Sequence, residues 1–131
     1  MQTTTASIGI TRLGQIALIV HDVERATVFY RDRLGLKFLF SAGPKLAFFD
    51  CGGVRLMLTT PEKPEFDHPN SILYLAVPDI ESAHRQLLDA GVHFEDTPHL
   101  VAPMPDHDLW MTFFRDSEGN LLALMCEKKK A

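Results

Sequence analysis

The chain has 131 residues, of which 46% are hydrophobic and 23% charged, and its formal net charge is −4. This length fits one domain whose core needs no disulfide framework. The acidic balance argues against a nucleic-acid-binding protein, because that role requires clustered Lys and Arg. No apolar stretch reaches the length of a membrane span, so we expect no membrane partner.

The cysteines and the N-terminus bear on the cellular compartment. Cys51 and Cys126 are too few and too far apart in sequence for a disulfide framework or a metal knuckle, and both lie in or beside apolar runs. We expect buried thiols in a reducing environment. The first seven residues lack the basic and apolar regions of a signal peptide, which predicts a cytoplasmic protein. We interpret the basic run 128–130 as a solvated tail.

The chain contains an internal repeat. An apolar run, Asp22 and a helical pattern ending at Gly35 recur later as a second apolar run, Asp79 and a helical pattern ending at Gly91. An aspartate in this place can cap a helix, because its carboxylate accepts from the free N–H groups of the first turn. Glycine ends a helix readily because it adopts the left-handed conformation at little cost. The repeat therefore indicates two copies of one supersecondary unit.

Each helical pattern is followed by three strand-like segments separated by turn residues. The predicted strands are residues 16–20, 36–40, 46–50 and 54–59 in the first unit, and 72–77, 92–95, 109–115 and 121–126 in the second. The Phe pair at 48–49 corresponds to the Phe pair at 113–114. The sequence thus predicts an α+β fold of two tandem βαβββ units with curled mixed sheets. We place the first unit at 13–60, a proline-rich linker at 61–71 and the second unit at 72–127, within a single domain spanning 1–131.

Two motifs and the repeat carry a resemblance to a known family. Residues 29–36 read FYRDRLGL, and residues 114–120 read FRDSEGN, with Ser117 where the family usually has Pro. From about residue 13 to residue 127 the chain resembles the glyoxalase / bleomycin-resistance / extradiol dioxygenase superfamily, also called vicinal oxygen chelate proteins. The resemblance implies half-barrel sheets and homodimers whose grooves are built from units of both chains. It also implies a divalent metal that polarises a substrate with two neighbouring oxygens.

The resemblance maps the four metal-ligand positions of the family onto Gln15, Met57, Ile72 and Ala123. Ile72 and Ala123 have no donor atom, and Met57 is a soft donor that suits hard divalent ions poorly. The amide oxygen of Gln15 alone is a weak anchor. We therefore predict that the usual metal centre is missing and that no metal cofactor is bound there.

Alternation along the mapped strands predicts which side chains face the groove. We take eight residues as candidates for ligand binding: Gln15, Arg55, Met57, Thr59, Ile72, Tyr74, Trp110 and Ala123. The resulting surface is mostly apolar with a few polar points, which is typical of a small-molecule pocket and equally of an ordinary core. The alternation does not fix the side on which Trp110 lies.

Three functions are compatible with these patterns. The first, which we favour, is a homodimeric, metal-free protein that binds a small, largely apolar molecule in the groove between units. The second is a lyase, isomerase or dioxygenase-like enzyme with a relocated site, in which His107 and Asp106 transfer a proton or hold a metal together with His99. The segment 106–108 is equally typical of a charged turn. The third is an interaction module whose groove binds another protein. Whether the protein is an enzyme stays open.

Overall fold

The computed structural model describes residues 8–130. Residue 131 and the first seven residues, on which the expectation about a signal peptide rests, lie outside this range. Within residues 8–130 the chain forms two α-helices and nine strands, and the strands make two sheets. No helix in this range is long and apolar enough to cross a membrane.

The first unit forms a four-stranded mixed sheet. Its strands follow the order β1-β4-β3-β2, in which β1 and β4 are parallel and the other neighbours antiparallel. Its elements are β1 (Gln15–Ile19), α1 (Val23–Val28), a π-helical segment (Phe29–Arg33), β2 (Lys37–Ser41), β3 (Leu46–Cys51) and β4 (Val54–Thr59).

Asp22 caps α1, as predicted, by accepting a hydrogen bond from the backbone N–H of Arg25 at 3.0 Å. The prediction of a single helix between Asp22 and Gly35 is wrong in one respect. After six α-helical residues the chain widens into a π-helical turn, in which the N–H of Leu34 bonds to the carbonyl of Phe29 at 3.1 Å. Gly35 then ends the segment with a φ of 73°, a conformation that favours glycine.

The second unit forms a sheet in which β5, β9, β8 and β6 are consecutive neighbours and β7 also pairs with β8. Its elements are β5 (Leu73–Ala76), α2 (Ile80–Asp89), β6 (His93–Phe94), β7 (His99–Pro103), β8 (His107–Arg115) and β9 (Leu121–Lys129). The predicted strands leave residues 96–108 unassigned, so β7 is an addition to the predicted elements. The α+β fold with two mixed sheets is confirmed.

Strands β6 and β7 are two pieces of one interrupted edge strand, because both run antiparallel to β8. The carboxylate of Asp96 lies in the interruption. It accepts the Thr112 hydroxyl at 2.7 Å and the backbone N–H of Phe113 at 2.9 Å. This side chain therefore satisfies a β8 donor where the edge strand is broken.

The basic run 128–130 is not a solvated tail, since β9 extends into it. The Lys128 ammonium lies 4.0 Å from the centre of the Trp110 ring and 2.7 Å from a carboxylate oxygen of Glu81 on α2. The charge of Lys128 thus lies over the ring in a cation–π contact.

The two units share one hydrophobic core, which lies on the sides of the sheets that face the helices. α1 packs against β3 and β4, and α2 packs against β8 and β9. The repeated Phe pairs each place one member here, since Phe49 and Phe114 are fully buried. Other core residues from the two units are Leu18, Tyr30, Leu58, Ile80 and Leu122. Apolar burial in this shared core therefore contributes to holding the units together.

A buried hydrogen bond crosses between the units inside this core. The Tyr30 hydroxyl donates to a carboxylate oxygen of Asp116 at 2.7 Å, and both residues are buried. Burial raises the pKa of the Tyr30 hydroxyl well above its ordinary value, and the Asp116 carboxylate raises that pKa further.

A second connection places the turn at 114–120 on the start of α1. The buried carboxylate of Glu118 accepts from the backbone N–H groups of His21 and Asp22, both at 3.1 Å, and from the Arg25 guanidinium at 2.8 Å. The turn that carries part of the family resemblance thus fixes one unit against the other.

We expect Tyr30→Phe to lower the free energy of unfolding at neutral pH by about 1–2 kcal/mol, because a buried acceptor loses one of its donors. The raised pKa of Tyr30 also predicts an alkaline effect. The unfolded chain ionises this hydroxyl near pH ~10 while the folded chain keeps it protonated, so its contribution is complete below pH ~10 and is lost as the pH rises further. Urea unfolding of both proteins from neutral to alkaline pH measures the difference. A constant gap between the two stability curves up to pH ~11 would contradict this account.

Candidate functional site

Each sheet has one side packed against the core and one side open to solvent. Along β1 and β4, Leu18 and Leu56 are buried, whereas Gln15 and Arg55 alternate with them and are exposed. The first open face comprises Gln15, Ala17, Ile19, Phe40, Phe48, Asp50, Arg55, Met57 and Thr59. The second open face comprises Tyr74, Ala76, His107, Leu109, Met111, Phe113, Ala123 and Met125.

The first open face carries an arginine stacked beside an aromatic pair. The rings of Phe40 and Phe48 are 4.7 Å apart at 30°, and the guanidinium carbon of Arg55 lies 5.3 Å from the centre of the Phe48 ring. The Arg55 Nε–H donates to the Gln15 amide oxygen at 2.8 Å. The Gln15 amide nitrogen in turn lies 3.7 Å from the Met57 sulfur. Three predicted candidates therefore contact each other.

The second open face carries an aromatic pair that closes over a small residue. Tyr74, Ala123 and Phe113 lie side by side on three neighbouring strands. The two outer rings meet edge to face at 6.0 Å and 79°, and Ala123 between them is fully buried. Ala123 therefore offers no surface to a ligand, which corrects its place among the candidates for ligand binding.

Two other candidates lie at the edges of these surfaces. Ile72 precedes β5, and with Tyr74 it borders an apolar hollow of about 240 Å³ at the junction of the units. Thr59 ends β4, and its hydroxyl donates to the carbonyl of Thr60 at 3.1 Å. The candidates thus form separate groups within one chain instead of a single groove.

Trp110 lies on the opposite side of its sheet. In the pairing of β8 with β9 it is opposite Cys126, which is buried, and its ring packs against the core. The Lys128 ammonium lies over the ring. The expectation that Trp110 lines the groove with Tyr74 is therefore corrected.

His107 and Asp106 form a hydrogen-bonded pair at the start of β8. The His107 Nδ1 lies 2.8 Å from an Asp106 oxygen, and its Nε2 lies 3.6 Å from Glu127. The hydrogen bond to His107 lowers the pKa of Asp106. His107 shares the second open face with Phe113 but stands six residues from it along β8, about 20 Å. An acid–base role for the pair stays a prediction.

His99 does not join this pair. In the pairing of β7 with β8 it lies opposite Met111, four residues from His107, and its Nδ1 is 2.8 Å from the carbonyl oxygen of Thr97. Among residues 8–130, no three His, Cys, Asp or Glu side chains are grouped so that they could hold a metal ion. The relocated two-histidine site is therefore not formed in this structure.

The four mapped metal-ligand positions do not fit a divalent cation. Ile72 and Ala123 supply no donor, and Ala123 is also covered by two rings. The Met57 thioether is a soft donor. The Gln15 amide oxygen already accepts from Arg55, a cation that would repel a metal ion.

Comparison with known proteins agrees with this fold. A family model described as the Glyoxalase/Bleomycin resistance protein/Dioxygenase superfamily matches residues 12–124. The chain belongs to this superfamily. The protein YraH of Bacillus subtilis (strain 168) is 27% identical, and the match covers 86% of this chain and 96% of YraH.

Solved structures share this architecture. A superfamily member from Sphaerobacter thermophilus DSM 20745 is 26% identical with a TM-score of 0.73, covering 90% of this chain and 98% of its own. TnmS3, an antibiotic binding protein from Streptomyces sp. CB03234, is 21% identical with a TM-score of 0.74, covering 93% of this chain and 100% of its own.

Sequence reasoning missed three aromatic residues of the open faces, namely Phe40, Phe48 and Phe113. For Phe48 and Phe113 the repeat contained a usable signal, because it aligns the two Phe pairs. Because neighbours along a strand point to opposite sides, one member of each pair had to lie on the open side. In the structure those members are Phe48 and Phe113.

We expect the purified protein to carry substoichiometric amounts of Ni, Mn, Fe and Zn, because the mapped positions lack hard donors. Its melting temperature should not change when salts of these metals replace a chelator in the buffer. Elemental analysis and thermal unfolding check both points. A rise in melting temperature that one ion produces, and that Gln15→Ala abolishes, would contradict this expectation.

Proposed function

We propose that this chain binds a flat, largely apolar small molecule over its aromatic open faces, without the metal centre of its superfamily. We further propose that the binding site joins the first open face of one copy to the second open face of another. The observation that carries the proposal is the pair of aromatic platforms, Phe40 with Phe48 and Tyr74 with Phe113.

The chemistry of these platforms favours a flat apolar ligand. Phe40 and Tyr74 are 48% and 44% exposed, so large ring surfaces face water. Covering such surface is favourable by roughly 25 cal/mol per Å² of apolar area, and aromatic rings add a preference for flat partners. A ligand between two platforms would be held by shape and apolar contact.

The separation of the two open faces supports a binding site that is shared with a second copy of the chain. They belong to different sheets, and across residues 8–130 no hydrogen bond, ion pair or ring contact joins one face to the other. The units meet instead on their core sides. A two-fold axis would place the first open face of each copy against the second open face of the other copy. The dimer would then have two equivalent sites. Homodimers built in this way are what the family resemblance implies.

The fold is compatible with such a role. TnmS3, which shares it with a TM-score of 0.74, is an antibiotic binding protein. At 21% identity this likeness concerns the fold alone. The class of ligand is therefore argued from the aromatic side chains of this chain.

We expect the uncharged probe anthracene-2-carboxamide to bind saturably. Phe48→Ala and Tyr74→Ala should each weaken binding about tenfold, because each removes an aromatic contact worth on the order of 1 kcal/mol beyond its apolar area. Fluorescence titration measures the affinities, and thermal unfolding verifies that the variants fold. Phe66→Ala is the matched control, since Phe66 is 45% exposed in the linker, and it should change nothing. Equal affinities for all four proteins would refute the proposed platforms.

A mixing experiment tests whether the site spans two copies. Chains carrying Phe48→Ala are unfolded and refolded together with chains carrying Tyr74→Ala. About a quarter of the sites should regain wild-type affinity, because half of the randomly formed dimers are mixed and each of these has one intact site. Either variant alone provides the control. No restored sites, or a monomeric mass by light scattering, would rule out the shared site.

A further inference from the structure

We infer that the ligand carries a carboxylate and that Arg55 binds it on the first open face. The inference rests on the proposed function, because it specifies the chemistry of the molecule bound there. It assigns one residue to the recognition of one chemical group.

Arg55 is held in place by two contacts that leave its outer edge available. Its Nε–H donates to Gln15, and its plane lies beside the Phe48 ring. In the described part of the chain, its two terminal nitrogens have no hydrogen-bond or ion-pair partner. A guanidinium oriented in this way can bind a carboxylate by donating two parallel hydrogen bonds, with little further loss of side-chain freedom.

The charges around Arg55 favour an anion. Arg12, Asp50 and Arg55 line the same surface hollow. Asp50 lies opposite Arg55 on the neighbouring strand, yet among the described residues it forms no ion pair with it. Arg12 uses a terminal nitrogen for the carbonyls of Leu13 and Gly53, at 3.2 and 3.3 Å. The hollow therefore carries two positive charges and one negative charge in a chain whose net charge is −4.

The arrangement of side chains across the first sheet also sets the shape of the ligand. Phe40 and Phe48 are cross-strand neighbours on β2 and β3. Gln15 and Arg55 are neighbours on β1 and β4 in the adjacent row, so Arg55 lies diagonal to Phe48. A molecule whose flat body lies on the two rings would have its carboxylate at the guanidinium edge.

Two probes of the same shape test the inference. Wild-type protein should bind anthracene-2-carboxylate about tenfold or more tightly than the uncharged anthracene-2-carboxamide, as expected for a charge-assisted hydrogen bond. Arg55→Gln should weaken binding of the carboxylate about tenfold more than binding of the carboxamide and so remove this preference. Arg55→Lys should keep part of the preference, because an ammonium retains the charge without the planar fork. Arg85→Gln on α2 has the same change in charge at an exposed residue and should leave both affinities unchanged.

The outcomes separate the inference from the proposed function. Equal affinity of wild-type protein for the two probes, with binding still weakened by Phe48→Ala, would overturn the carboxylate and retain the apolar site. If Arg55→Gln lowered the affinities for both probes equally, the inference would also be overturned, because Arg55 would then serve only as a flat surface. If neither probe bound saturably, the inference and the proposed function would both fail.

Discussion

Each sheet of this protein can bury only one of its sides, because each unit provides a single helix to cover it. The two units solve this by merging their covered sides into one core, in which Phe49 and Phe114 are fully buried. The buried contact of Tyr30 with Asp116 and the docking of Glu118 on α1 then fix the units against each other. Everything proposed about function concerns the two sides that this arrangement leaves open.

The open sides differ in chemistry as well as in position. The first combines a charged, oriented arginine with aromatic rings, and the second is dominated by rings and thioethers. Three of the four mapped metal-ligand positions hold the apolar side chains Met57, Ile72 and Ala123, which are poor ligands for hard divalent ions. Ala123 is also buried beneath the contact of the Tyr74 and Phe113 rings. A bulky ligating residue there would have to displace both rings.

Much of the fold could be predicted from the repeat, including both helix caps and the glycines that end the helices. Strand β7 escaped prediction because an edge strand tolerates proline and exposes its apolar residues, so Pro98 and Pro103 made the segment look like a loop. The π-helical turn escaped prediction because the Asp22 cap and Gly35 mark the ends of the helical segment and not the hydrogen-bond spacing inside it. Trp110 could not be placed because both of its neighbours, Leu109 and Met111, are also apolar, so alternation does not indicate which side of the strand is buried.

The composition of the candidate site was only partly predictable, for a related reason. Alternation placed Gln15, Arg55 and Met57 on one side of the first sheet, and the structure brings them into contact. Contacts between units depend on how two sheets are arranged in space, which periodicity along a strand does not contain.

The interrupted edge of the second sheet has a consequence for self-association. An uninterrupted outer strand would present a row of free backbone donors and acceptors to which a strand of another molecule could add. Here the row is broken at residues 95–98, and Asp96 occupies the gap with its carboxylate already bonded to β8. This border of the molecule therefore offers no continuous edge to which a strand of another molecule could pair.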